Sequence, residues 1–304
     1  MSTAMVLLVG EQPAPNLLPT SFLKPDVAVL VYTAFTQHVA GNLEKLLTTQ
    51  CRCLRCEVDA YRIPDIRAAL GSFLYDKIGD YTLVFNLTGG TKPMAIAAYS
   101  MAHHNRASIV YFQTQGGQSL LYIYEISDDG QIYLKDEVSI PESITIDDYL
   151  TLYLSDYQTT GFARTREGEF ERATSEALKP YVDEIIAGVK KGGALDIDLV
   201  LRCGNQVGIA EVKTGRKGRS KEGIDQLNTA GGRQFLGIYT RKFLIVDSIW
   251  DHTLSNLREL AEARNVNLIE LPSYSQTGII SDGDKQVLLD RVQQTLRCGV
   301  KEEK

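Results

Sequence analysis

The sequence has no apolar run long enough to span a bilayer, and residues 1–10 lack the charged start and cleavage region of a signal peptide. A cytoplasmic protein with no membrane partner is the expectation. Positive charge is not in excess, since 32 Lys and Arg against 38 Asp and Glu leave a formal net charge of -6. That balance argues against a generally basic nucleic-acid binder. Cysteine is scarce, and five is an odd number, which does not suit a secreted disulfide framework. Cys51, Cys53 and Cys56 cluster, but no fourth ligand nearby completes a zinc site, and His103 and His104 are distant in sequence. Thiols on a strand edge are expected there. Internal repeats and low-complexity segments are absent. Neither GxxxxGK[ST] nor GxGxxG occurs, which counts against an ATPase or a dehydrogenase.

What is present is ordinary globular material, 304 residues with 44% hydrophobic and 23% charged. That length suits one large or two ordinary domains. Residues 1–150 hold 10 Lys and Arg against 16 Asp and Glu, whereas residues 151–304 hold 22 of each. The first part alternates strand and helix patterns. Strands are expected over 4–9, 26–32 (DVAVLVY), 54–59, 81–87 and 108–113, with helical spacing around 42–47, 66–78 and 93–104. Such alternation implies a mostly parallel sheet covered by helices on both faces, with ligands gathering at the carboxyl ends of the strands.

One such end is LTGGTKP, residues 87–93. Pro93 suits the first position of a helix, and free amides at a helix start favour an anion. Gly89 and Gly90 permit close backbone approach, while Thr88, Thr91 and Lys92 add hydroxyls and charge. A phosphate-bearing ligand is the favoured reading, a glycine-rich turn the bland one. A hairpin over 119–125 and 131–135 follows, around Ser127-Asp128-Asp129-Gly130. Residues 140–162 mix Pro, acids and tyrosines, and the domain junction is expected there, at 150/151.

In the second part, residues 168–189 carry Phe170, Ala177, Leu178, Tyr181 and Ile185 at helical spacing, with Glu171 on the same stretch and Glu167 and Glu169 as alternatives. Residues 195–215, LDIDLVLRCGNQVGIAEVKTG, read as two strands around a turn centred on Gly204 and Asn205. In that register Asp198 faces Glu211 and Asp196 faces Lys213, all on one face of the sheet. Carboxylates opposed across a ladder repel unless a cation lies between them. A divalent metal would remove the conflict, and Lys213 supplies further positive charge. The run KTGRKGRSK, residues 213–221, is as consistent with phosphate contacts as with a solvated loop. Beyond it, a helix over 222–227 bearing Gln226, strands over 243–246 and 267–271 and a closing helix over 287–296 complete the core.

Asp198, Glu211-Val212-Lys213 and an upstream helix glutamate resemble the core of the PD-(D/E)xK nuclease superfamily. NLTGGTKPMA after a strand, with an N-terminal strand ending in GEQPAPN, resembles the CARF sensor domain of CRISPR type III accessory proteins. Together they resemble the cyclic-oligoadenylate-activated ancillary nucleases. The resemblance implies an α/β chain with a Rossmann-like CARF sensor domain over 1–150 and a restriction-endonuclease-like domain over 151–304. It implies paired CARF domains, hence a homodimer, activated by a ring such as cyclic tetraadenylate. Thr88, Gly89, Gly90, Thr91 and Lys92 would line the ring, with Gln12, Thr33 and Gln113 at other strand ends. It also implies metal-dependent phosphodiester hydrolysis of DNA and/or RNA, with Glu171, Asp198, Glu211 and Lys213 catalytic. Oxygen donors without His or Cys favour Mg²⁺ or Mn²⁺, held by Asp198, Glu211 and the Val212 carbonyl. The alternative is a non-cleaving, ligand-responsive nucleic-acid-binding regulator. Ring size, substrate type and the roles of Asp196 and Gln226 stay open.

Overall fold

The alternation in the first half becomes a run of β1 (Thr3–Leu8), α1 (Ala14–Leu23), β2 (Val27–Tyr32), α2 (Gln37–Leu47), β3 (Arg52–Glu57), α3 (Ile63–Lys77), β4 (Thr82–Asn86), α4 (Lys92–His104) and β5 (Ser108–Gln115), closed by the hairpin of β6 (Gln118–Ile126) and β7 (Ile132–Ser139). Residues 2–298 are described by this computed structural model. The chain divides into two compact units, Met1–Ser143 with Thr151–Tyr153, and Ile144–Leu150 with Leu154–Lys304. The chain passes between them three times, at 143/144, 150/151 and 153/154, the last two within helix α5 (Ile146–Leu154).

The first unit holds a seven-stranded sheet ordered β3-β2-β1-β4-β5-β6-β7. Its first five members are parallel, and the β6–β7 hairpin continues antiparallel. Strands β1 and β2 are apolar on both faces because helices cover both. Helix α2 shows the covering principle, burying Val39, Ala40, Leu43 and Leu47 along one stripe. The strand order turns at β1, which pairs with β2 on one side and β4 on the other. The crevice outside the carboxyl ends of β1 and β4 is therefore the topological switch point. Helix α1 was not anticipated from sequence, because Pro13, Pro15 and Pro19 obscure its pattern.

The second unit runs β8 (Gln158–Thr159), α6 (Arg166–Leu178), β9 (Glu184–Lys191), β10 (Leu195–Cys203), β11 (Gln206–Lys213), α7 (Glu222–Ala230), β12 (Arg241–Val246), α8 (Ser255–Ala263), β13 (Val266–Glu270), α9 (Pro272–Thr277) and α10 (Asp282–Leu296). Its six-stranded sheet is ordered β13-β12-β11-β10-β9-β8. The β10–β11 hairpin has the expected register, with Cys203 opposite Gln206 and Leu199 opposite Ala210 around Gly204 and Asn205.

The expected helix over 168–189 is corrected. It ends at Leu178, and Glu184–Lys191 is strand β9. Pro180 has no N–H to continue the helical ladder, so Tyr181 and Ile185 fall outside it. Cys203 and Cys298 form a disulfide, while Cys51, Cys53 and Cys56 are free at or in the edge strand β3. Among the described residues, no helix is long and apolar enough to cross a membrane.

Candidate functional site

Strands β10 and β11 carry the charged cluster of the second unit. The paired register runs as far as Leu199 and Ala210. One step beyond, the Asp198 carboxylate accepts the Val212 N–H at 2.7 Å, a side chain standing in for the ladder. The same Asp198 oxygen accepts from Lys213 Nζ at 2.9 Å. Glu211 Oε2 is ion-paired with the same ammonium at 2.6 Å, while Glu211 Oε1 is buried without a hydrogen bond. Only 1% of Glu211 is exposed. The cation the sequence demanded between Asp198 and Glu211 is here the Lys213 ammonium. Asp196 takes a different partner from the expected Lys213. It sits opposite Lys190 of β9 and bonds its ammonium at 2.7 Å.

Helix α6 presents Glu167 and Glu171 one turn apart, on one face. Its N-terminus is fixed by Thr165, whose hydroxyl accepts the Gly168 N–H at 3.1 Å. Glu167 Oε1 is 3.9 Å from Lys213 Nζ and buried without a hydrogen bond, while Oε2 accepts from Lys217 at 3.1 Å. Glu171 is pushed up to about 7 by burial, then by the negative charge of Asp198. The sequence weighed these two glutamates against each other, but the fold assembles both. Their i, i+4 spacing was the available signal.

The electrostatics are those of an excess of carboxylates. Burial, then the Asp198 charge, raise Glu211 well above the ordinary carboxylate range. Burial works against the Lys213 ammonium, yet Glu211 and Asp198 outweigh it and hold this lysine above its usual range. Lysine therefore keeps its proton, and Glu211 is the partner with the weaker claim to its charge. Helix α7 closes over the pair, since a side chain at Gly223 would meet Leu244, Lys213 and Glu211.

Among the described residues, no three His, Cys, Asp or Glu side chains already converge to hold a metal ion. The donor chemistry nevertheless fits a hard cation. Two buried carboxylate oxygens, Glu211 Oε1 and Glu167 Oε1, have no hydrogen bond, and every candidate ligand atom is oxygen.

The segment after β11 is a built loop. Asp247 accepts the Gly215 N–H at 3.0 Å, and the Trp250 indole N–H donates to the Gly218 carbonyl at 2.7 Å. Lys217, Arg219 and Lys221 face Glu167, Asp251 and Asp225 respectively. Arg216 makes no ion pair among the described residues. Gln226 lines a cavity of 630 Å³ with Asp196 and Asp225, and its Oε1 is buried without a partner.

In the first unit, residues 87–92 occupy the switch point. A methyl at Gly89 would overlap the Leu8 carbonyl, and Gly90 has φ of +72°. Buried Asn86 donates to the Pro15 carbonyl at 2.9 Å and to Asn16 Oδ1 at 3.1 Å. Its own Oδ1 accepts the Thr88 N–H at 3.1 Å and hydroxyl at 2.6 Å. The Thr88 hydroxyl also accepts the Phe112 N–H at 2.7 Å, beside Gln113 on β5. Thr91 caps α4 through Met94 and donates to the Ala60 carbonyl at 2.6 Å. Both threonine hydroxyls are thus committed to the framework. Gln12 follows β1 and accepts from the Tyr153 hydroxyl at 3.4 Å. Thr33 is buried at the end of β2 and bonded to Thr36.

The Card1 CARF domain family matches residues 4–149. No curated protein matches the sequence. Can2 from Sulfobacillus thermosulfidooxidans, solved in complex with cyclic tetra-adenylate, is similar with a TM-score of 0.72 and 14% identity over 97% of each chain. Protein VC1899 from Vibrio cholerae is similar with a TM-score of 0.70 and 13% identity, over 97% of this chain and 98% of that one. A type III CRISPR defence DNA nuclease activated by cyclic oligoadenylate is similar with a TM-score of 0.58 and 15% identity, over 83% of this chain and 46% of that one. The expected α/β class holds, and the first unit is a Rossmann-like CARF domain.

Proposed function

We propose that this protein is a metal-dependent nuclease of CRISPR type III defence, switched on by a cyclic oligoadenylate bound to its CARF domain. The observation that carries the nuclease half is Glu211, buried beside Asp198 in an ion pair with Lys213 that leaves its Oε1 without a hydrogen bond. A purely structural carboxylate would have its oxygens satisfied.

Asp198 and Glu211, with the Val212 carbonyl and Glu171, would hold Mg²⁺ or Mn²⁺. Such an ion, when bound, polarises a scissile phosphate and acidifies a bound water. Lys213 keeps its ammonium and so serves as a hydrogen-bond donor to phosphate oxygen, not as a general base. Without a metal, burial and the Asp198 charge push Glu171 up to about 7, so taking up a cation there would release a proton from its carboxyl. PD-(D/E)xK chemistry is the reading these donors support.

In the sensor, the Gly89 and Gly90 amides and Lys92 are the groups left to a phosphate, because the Thr88 and Thr91 hydroxyls already hold the loop together. One chain offers one such loop. Two loops about a two-fold axis match a cyclic tetra-adenylate, so the working form is a homodimer sharing one ring. The second Lys92 also eases the self-repulsion of an acidic domain facing a tetra-anion.

The test is an assay of labelled DNA and RNA with Mg²⁺ or Mn²⁺, with and without cyclic tetra-adenylate. Metal-dependent cleavage stimulated by the ring is expected. Ring binding without cleavage of either substrate would instead support the non-cutting regulator.

A further inference from the structure

The loop at residues 87–92 can hold phosphate, but amides and a lysine read no base. A second loop meets it at the carboxyl ends of the strands. Residues 58–62 follow β3, and their Ala60 carbonyl accepts the Thr91 hydroxyl at 2.6 Å. On the other side of Ala60, the Asp59 carboxylate accepts the N–H groups of Tyr61 and Arg62, each at 2.7 Å. Those two backbone bonds hold the Asp59 carboxyl below its usual range. Pro64 then opens α3. The Tyr61 backbone is thereby fixed from both directions, and one residue separates it from a direct bond to the phosphate loop.

Its ring is left uncovered, 76% exposed. An isolated surface tyrosine calls for no explanation. This one differs by its position, because its turn is tied to the ligand loop at the switch point of the sheet. A tyrosine on a fixed backbone offers a large flat face at a small entropic cost, having only two side-chain torsions to order. Flat aromatic faces are what nucleobases stack on.

We propose that Tyr61 is a base-stacking platform for an adenine of the ring held at residues 87–92. The inference rests on the cyclic-oligoadenylate reading of that loop. Phosphates go to the loop amides and Lys92, and a purine goes to the Tyr61 face. Tyr61 thus contributes to the preference for a purine ring over a pyrimidine one.

The experiment is titration calorimetry of the full chain with cyclic tetra-adenylate and cyclic tetra-uridylate, for the parent, Tyr61→Ala, Tyr61→Phe and Tyr75→Ala. Tyr75, 86% exposed near the far end of α3, controls for loss of any surface aromatic. Tyr61→Ala is expected to bind cyclic tetra-adenylate about tenfold more weakly and to narrow the gap between the two rings. Tyr61→Phe and Tyr75→Ala are expected to match the parent. Parent-like binding by Tyr61→Ala, or an equal loss in Tyr61→Phe, overturns the stacking role. A loss in Tyr75→Ala as large as in Tyr61→Ala does so too. A parent that takes up no ring overturns the sensor reading and this inference with it.

Discussion

The two candidate sites are built on opposite principles. Around residues 86–91 of the CARF unit, the buried polar groups answer one another. Asn86 bonds to Pro15, Asn16 and Thr88, Thr88 to Phe112, and Thr91 to Ala60. Around Glu211 of the second unit, one lysine serves several carboxylates, the Oε1 atoms of Glu211 and Glu167 are buried without a hydrogen bond, and two acids are pushed upward. The first site is preorganised, so a ligand meets a finished surface. The second is electrostatically incomplete, so its state depends on what arrives.

The comparison breaks most visibly at the charged cluster of the second unit. Asp198→Ala, Glu211→Ala and Lys213→Ala should each lower cleavage by at least about 10²-fold, the scale for loss of one electrostatic group. Ring affinity should be unchanged in all three, because the sensor does not use them. Gel assays beside calorimetry check both halves, and cleavage surviving in a folded Glu211→Ala protein contradicts the assignment.

Asn86→Ala probes the finished site. It leaves several buried partners unbonded, each worth about 1–3 kcal/mol, so a loss of about 3 kcal/mol in denaturant unfolding of the first unit is expected, with weaker ring binding. Near-parent stability would mean that the network does not organise the loop.

Glu171→Gln sharpens the other side through pH. An unfolded glutamate ionises near 4.5, whereas folded Glu171 ionises at about 7. Between those values the unfolded state releases its proton first, so the metal-free parent loses stability as pH rises through that window. A full shift would be worth roughly 3 kcal/mol, and for a half-buried group about 1–2 kcal/mol is the expectation. Melting curves in EDTA at pH 5 and pH 8 should show a larger loss in the parent than in Glu171→Gln, where only the Glu211 contribution remains. Equal pH dependence would remove Glu171 from the cluster.

The smallest effect belongs to the basic run. Lys217 and Arg219 face Glu167 and Asp251, which leaves Arg216 as the charge most free for phosphate. Arg216→Ala should weaken substrate binding uniformly and reduce the salt slope by about one. Identical slopes would make the run a solvated loop.

Much of this was legible in the residues, and the failures are connected. Gly204 and Asn205 marked the β10–β11 register, which the ladder keeps as far as Leu199 and Ala210. LTGGTKP marked a loop at a strand end, although not that its hydroxyls are spent on Phe112 and Ala60. Residues 184–191 carried apolar spacing compatible with either period, and reading them as helix hid strand β9. With β9 hidden, Lys190 could not be seen opposite Asp196 on the other side of β10, and their ion pair was missed. The joint presence of Glu167 and Glu171 was likewise concealed by treating them as rivals. Asp247, which anchors Gly215, gave no local signal because its partner is 32 residues away.

The central claim is that occupancy of the CARF unit sets the rate of the second unit. Since a ring that binds two arrangements equally shifts neither, the claim requires that binding change the rate. The direct measurement is cleavage rate against cyclic tetra-adenylate concentration, for the parent and Lys92→Ala in Mg²⁺. The account predicts a saturable rise in the parent, complete at one ring per two chains, and little or none in Lys92→Ala. A rate independent of the ring, or the same rise in both proteins, would contradict it.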